Sequence, residues 1–277
     1  MNHIVTLTGF ADEISSDLEE QLNVLESEGM RHFDLRGVWG KNVLQLTDDE
    51  VTRIKQRIDE RGIKVACIGS PIGKIEITDD FAQHLKQFER AVQLADRFGS
   101  RYIRIFSFFI PDGQDPSVYR DEVMARMGEL TRIAEREGVM LVHENESRIY
   151  GDTGNRCHDI LTTIRSKNLA CAFDPANFVH CGVQPMQEAY PQLESFIDYI
   201  HIKDMLSSGK IVPAGEGDGE IRELLEKLKH RGYNGFMSLE PHLQQGGTFQ
   251  GFSGPELFVT AVRALKKLLS ESGFDWD

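Results

Sequence analysis

The sequence predicts an α/β chain wound into a (β/α)8 barrel, and three observations carry that prediction. Short β-rich runs alternate with amphipathic helical runs from end to end, the pattern of a parallel sheet built from βα units. Eight such strand runs are legible. The chain has 277 residues, and barrels of ~200 to 250 residues commonly fold as one unit. A doubly wound open sheet is the alternative use of the same units. No proline-rich linker, repeat or low-complexity segment interrupts residues 1–277, so a single TIM-barrel domain is the simpler reading.

The elements follow in order. Strands are expected at His3–Leu7 and His32–Leu35, and then Thr47-Asp48-Asp49-Glu50 opens a helix with the capping-box pattern. In that pattern the Thr oxygen and the Glu carboxylate satisfy N–H groups that the first turn leaves unpaired. A third strand, Lys64–Ile68, precedes a helix in which Phe81, Leu85, Phe88, Val92 and Ala95 form one apolar stripe. Strands at Tyr102–Phe106, Val139–Val142, Leu169–Phe173, Tyr199–Ile202 and Phe236–Leu239 complete the eight. Ser253-Gly254-Pro255-Glu256 repeats the capping pattern ahead of a last helix whose stripe is Leu257, Ala261, Leu265 and Leu268.

Composition narrows the classes of function. A net charge of −13 disfavours nucleic acid, whose phosphates require clustered Lys and Arg. The first twenty residues lack a basic start and an uninterrupted apolar stretch, and nothing approaches the ~18 apolar residues of a membrane span. A soluble, cytoplasmic chain with no membrane partner is expected. Cys67, Cys157, Cys171 and Cys181 show no C-x-x-C spacing, and Cys67 and Cys171 sit in apolar runs. Neither a disulfide framework nor a thiol nucleophile is indicated.

Barrel active sites lie at the C-terminal ends of the strands, and four of those ends share one chemistry. "LVHENES" (141–147) finishes strand five on Glu144, strand six runs into Asp174, strand seven carries His201 and Lys203, and strand eight runs into Glu240-Pro241-His242. The four positions are separated by 30, 27 and 39 residues, each about one βα unit. In a closed barrel they face one another across one mouth. Singly, each has an ordinary use as a cap, a turn or a core histidine. Together, three carboxylates so close would repel and raise each other's pKa unless a cation neutralised them. One divalent ion is therefore expected; oxygen-rich ligation with one imidazole suits Mn²⁺, Mg²⁺ or Co²⁺ at least as well as Zn²⁺.

"LVHEN", "CAFDPANF", "YIHIKD", "PAGEGDGE" and "MSLEPH", in this order, resemble the xylose isomerase-like TIM-barrel superfamily of sugar phosphate isomerases and epimerases. The resemblance spans the chain and is strongest from Gly138 to His242. It implies that Glu144, Asp174, His201 and Glu240 bind the metal, and that Glu144 and Glu240 double as acid and base, as in the ketose 3-epimerases. Some of those relatives carry D-T-F-H where this chain has Asp174-Pro175-Ala176-Asn177, so Asn177 stands in place of a substrate-binding histidine. Relatives form homo-oligomers through barrel surfaces, which the resemblance leaves open here.

Such a site suits proton transfer next to a carbonyl. The cation polarises a hydroxy-ketone and stabilises the enediolate, one carboxylate removes a proton and a carboxylic acid returns one. The expected partner is a small carbohydrate and the expected activity isomerisation or epimerisation. Dehydration of a keto-inositol, or a non-catalytic carbohydrate-binding barrel, are the alternatives. Lys203 is a candidate to hold a substrate oxygen. Arg36 and Trp39 after strand two, and Arg148 behind Glu144, are candidates to contact the sugar or an anionic group. His242 and Glu216 are weaker candidates, suited to orienting ligands. "AGEGDGE" (214–220) lacks the lysine and hydroxyl of a phosphate loop and reads as a flexible rim loop entering helix seven.

Overall fold

The computed structural model describes residues 3–244 and 251–277. Eight parallel strands form the barrel: β1 (Ile4–Gly9), β2 (His32–Leu35), β3 (Lys64–Ile68), β4 (Tyr102–Ile105), β5 (Met140–Glu144), β6 (Leu169–Phe173), β7 (Ile197–Ile202) and β8 (Phe236–Leu239). Each pairs with its neighbour in sequence from β2 through β8, and β8 pairs with β1. A parallel bridge between Phe10 and Asp34 closes the ring beside β1 and β2. A short C-terminal strand, β9 (Asp275–Trp276), adds to the start of β1.

The helices are α1 (Leu18–Ser27), α2 (Asp48–Arg61), α3 (Phe81–Phe98), α4 (Arg120–Glu137), α5 (Gly154–Ile164), α6 (Pro175–His180), α7 (Ile221–Arg231) and α8 (Pro255–Ser272). The sixth unit departs from the regular pattern: α6 is six residues long and is followed by a π turn at Pro185–Ala189 and a single helical turn at Tyr190–Leu193. Among the described residues no helix is long and apolar enough to cross a membrane.

Two layers of packing follow from the period of two along each strand. Leu141 of β5 joins the large cluster between strands and helices, whereas Met140 and Val142 fill the barrel interior with Cys67, Ala170, Ala172 and Tyr199. The alternation decides what the polar end of β5 does. Glu144 continues the inward set, while His143 turns outward against Gly151, where a Cβ would meet its ring at 2.4 Å. Above the apolar interior, buried Asp34 accepts hydrogen bonds from the Thr8, Tyr199 and Ser238 hydroxyls.

Strand five runs two residues beyond the expected Val142, because His143 pairs with Cys171 and Glu144 with Ala172 of β6. The Thr47–Glu50 capping box forms as the sequence indicates. The one expected at Ser253 does not: α8 begins after Gly254, with no side-chain cap. Ser253 instead donates its hydroxyl to the buried Glu13 carboxylate at 2.9 Å and accepts the Leu243 N–H. A buried carboxylate needs that donor more than an exposed helix start does. All four cysteines are free thiols, and burial pushes Cys171 and Cys181 up to about 12, away from nucleophilic character.

Candidate metal centre

Four donors meet at the C-terminal mouth. Glu144 is the last residue of β5, Asp174 follows β6, His201 lies in β7 and Glu240 follows β8. None is more than 3% exposed, and one ligand atom from each lies within 4.8 Å of the others. His201 Nδ1 is 3.3 Å from Glu144 Oε1 and 3.7 Å from Glu240 Oε2. Both His201 nitrogens and Glu240 Oε2 are buried without a hydrogen-bond partner, a state that costs ~1–3 kcal/mol per atom when nothing compensates it. Three carboxylates and one imidazole gathered this closely, with unpaired atoms among them, could together hold a divalent cation. The residues fit the ion.

The backbone explains how Asp174 reaches it. Pro175 occupies the first turn of α6, and Asp174 caps that turn with Oδ1, which accepts the Asn177 N–H at 2.9 Å. This leaves Oδ2 for the centre. Asn145 clamps the neighbouring strand end: its amide donates to the Asp174 carbonyl and its oxygen accepts the Asp174 N–H. Asn177 then donates to Glu144 Oε1 at 3.2 Å and to the Asn145 carbonyl. The polar tail of "LVHENES" thus ties β5 to β6, with Asn145 as the tie and Glu144 as the presented group.

Fixed cations surround the carboxylates. Arg104, in β4, donates to Glu144 Oε2 at 3.0 Å, with its guanidinium carbon 4.8 and 4.7 Å from the Phe10 and Phe106 ring centroids. Arg36 donates to Glu240 Oε1 and to Asp12 Oδ2, each at 2.8 Å. Lys203 Nζ is 2.8 Å from Asp174 Oδ2 and 3.6 Å from Glu240 Oε2. Burial opposes the charge on Glu144, yet His201 and Arg104 outweigh it and draw its pKa down to about 2. Glu240 is likewise lowered against burial by Lys203, His242 and Arg36. Asp174 goes the other way, pushed up to about 6 by burial that Lys203 only partly offsets.

The centre opens into a cavity of about 520 Å³ whose lining includes Arg36, Asn177, Lys203 and His242. Three other sequence candidates lie elsewhere. Trp39 is half-buried on the rim beneath Arg53, whose guanidinium carbon is 4.8 Å from its ring. Arg148 is exposed, paired with Asp112 at 3.2 Å. Glu216 is exposed in the loop before α7 and does not line the cavity. Conversely, Arg104, Lys74, Glu146 and His180 line it, and Asp12 and Glu13 stand behind Arg36. Arg104 had a readable signal: a lone charge inside the apolar strand "YIRIF". Asp12 and Glu13 had the same signal as Glu144, carboxylates just past a strand.

The glycine-rich loop is more ordered than its composition indicates. Gly215, Gly217 and Gly219 each donate a backbone N–H to the Asp204 carboxylate, at 2.8, 3.0 and 2.9 Å. Met205 donates a fourth. Glu220 leaves its own helix uncapped and binds the Met186 N–H and Gln187 amide instead.

Comparison with known proteins agrees with this architecture. The pattern of a family described as xylose isomerase-like TIM barrel matches residues 22–268. An uncharacterized protein of Methanocaldococcus jannaschii is 28% identical over 158 residues, 54% of this chain and 54% of that protein, so the match spans about half of the relative's length. A solved D-tagatose 3-epimerase-like protein superposes with a TM-score of 0.77 at 18% identity, covering 97% of this chain and 98% of that one. The probable 3-DHS dehydratase AsbF of Bacillus anthracis gives 0.75 at 17% identity, over 95% and 98% of the two chains. At those identities the superpositions show a shared fold, which many chemistries use. With the family pattern running through nearly all of the barrel, the chain belongs to the xylose isomerase-like TIM barrel family.

Proposed function

We propose that this protein is a divalent-metal-dependent isomerase or epimerase of a sugar or sugar derivative. One observation carries the reading: Glu144 and Glu240 are presented by different strands to one buried donor cluster, and each is gripped by an arginine, Arg104 on Glu144 and Arg36 on Glu240. Glu144, Asp174, His201 and Glu240 would hold a divalent ion, which would supply positive charge to polarise the carbonyl of a hydroxy-ketone. The protein's own groups then handle the proton.

One glutamate removes the proton from the carbon next to the carbonyl, and the other carboxyl returns one. Return to the same carbon from the opposite face inverts it; return to the neighbouring carbon converts ketose to aldose. Arg104 and Arg36 hold the two carboxylates in place, so that neither has to reorient during transfer. His242 Nε2 lies 3.4 Å from Glu240 Oε1 and its side chain is partly open to solvent, a route by which Glu240 exchanges its proton with water. Lys203 and Asn177 line the cavity and would meet substrate oxygens there. The cavity has room for a monosaccharide, whose binding excludes water from the carboxylates.

Proton NMR in D₂O tests this directly. The Mn²⁺-loaded protein is given ketoses, keto-inositols and their phosphates, with and without EDTA. The expected result is chelator-sensitive entry of deuterium at a carbon next to a carbonyl, with a product of unchanged mass apart from the label. Loss of water would redirect the assignment to a dehydratase. Binding of sugar to metal-loaded protein with no exchange at all would make this a non-catalytic barrel.

A further inference from the structure

We infer that Lys203 is a built-in rival of the metal: its ammonium claims the oxygens of Asp174 and Glu240 that a divalent ion must use, and binding of the ion releases it into the cavity. This rests on the metal-dependent function proposed above.

Asp174 and Glu240 each have one oxygen tied down from outside the centre. The Asn177 N–H donates to Asp174 Oδ1 at 2.9 Å, and Arg36 donates to Glu240 Oε1 at 2.8 Å. Arg104 likewise takes Glu144 Oε2 and not Oε1, which lies 3.3 Å from His201 Nδ1. Contacts of that kind orient a ligand without obstructing it. Lys203 is the exception among the described cations. Its Nζ stands 2.8 Å from Asp174 Oδ2 and 3.6 Å from Glu240 Oε2, the two oxygens that the other partners leave free. Neither oxygen receives a hydrogen bond from it, so the ammonium sits there as a charge and not as an aligned donor.

The strand explains the placement. His201 and Lys203 are two residues apart, so the same face of β7 and its exit delivers an ion ligand and a competing charge. Lys203 is 5% exposed and Asp174 fully buried, and in such a low-dielectric pocket two positive centres on shared oxygens repel each other strongly. The lysine is the group able to yield. Its ammonium is a point charge on a flexible four-carbon stem, whereas the rigid fork of Arg36 is held by both Asp12 and Glu240. Lys203 also lines the cavity, which gives the released ammonium a place beside the substrate. The order of binding that follows is metal first and sugar second.

The sign of one effect separates this from an orienting role, whose loss weakens metal binding by ~10–100-fold. Free Mn²⁺ is followed by electron paramagnetic resonance as the metal alone is titrated into wild type, Lys203→Met and Lys203→Gln. The expected result is binding at least tenfold tighter in the variants, and loss of that gain when Asp174→Ala is added. A smaller gain, weaker binding, or a gain that survives Asp174→Ala overturns the inference. Wild-type protein supplies a second measurement that requires no variant to fold. Reductive methylation of Lys203, read by peptide mass, should rise at least threefold when Mg²⁺ is present; a lysine that Mg²⁺ leaves unchanged or protects overturns the proposed release. Absence of Mn²⁺ binding in all three proteins removes the metal centre and the inference together. Unchanged affinity in the variants, beside a wild type that exchanges sugar protons for deuterium, overturns the inference alone. Tighter binding in the variants, beside a metal-loaded wild type that exchanges none, overturns the proposed function and leaves the inference standing.

Discussion

Glu144 and Glu240 are single residues on which the chemistry depends, and each can be neutralised with little change of shape. Glu144→Gln and Glu240→Gln should each lower deuterium exchange by ~10²–10⁴-fold, the range general acid–base groups contribute, while the folded barrel persists. Retention of wild-type exchange by Glu240→Gln would remove its proton-transfer role. Arg104→Met probes the charge on Glu144. The guanidinium 3.0 Å from Oε2 helps to hold that carboxyl near 2, so its loss raises the pKa. A base must be unprotonated to act, and the acid limb of the rate–pH profile should therefore move to higher pH. An unshifted limb would show that Arg104 does not tune Glu144. This arginine was visible in the sequence only as an oddity in an apolar strand. What made it functional was its register against β5, where Arg104 pairs with Val142 and so sits beside Glu144.

At the scale of the element, two identical sequence signals had different fates. Thr47 accepts the Glu50 N–H, and Glu50 reaches back to the Thr47 N–H at 2.9 Å, so Thr47→Ala should destabilise the protein by ~1 kcal/mol. Chemical denaturation checks this, and a change below a few tenths would mean that the box contributes nothing. Ser253 has the same pattern but spends its hydroxyl on Glu13, 240 residues away in sequence. No local rule sees that partner. The β7–α7 loop shows the same limit: three glycines in "AGEGDGE" suggest freedom, and the structure uses their bare N–H groups to bind Asp204. Strand ends, by contrast, were readable to within a residue or two, because continuous apolar runs buried on both faces have sharp polar boundaries.

For the whole molecule, the centre joins β5, β6, β7 and β8, so an ion bound there links half of the barrel. Ligand bound only by the folded state stabilises it, by ~2.7 kcal/mol at a hundred times Kd. Mn²⁺ should therefore raise the melting temperature in a concentration-dependent way, EDTA should reverse the rise, and Asp174→Ala should abolish the response. A melting temperature indifferent to every divalent ion would argue against a metal in this cluster.

The sequence by itself determined the periodic elements and the order of the strands, because alternation and length are local properties. It also determined that Glu144, Asp174, His201 and Glu240 stand at successive strand ends, since one βα unit separates each from the next. Only the tertiary structure decided which other side chains join them. Trp39, Arg148 and Glu216 lie in loops whose direction depends on what they pack against, and they are not among the residues that line the cavity. Arg104, Asp12 and Glu13 enter because barrel closure brings β1, β2 and β4 around the same mouth as β5 to β8. Pairings between residues distant in the chain are set by closure and register, which no window of sequence contains.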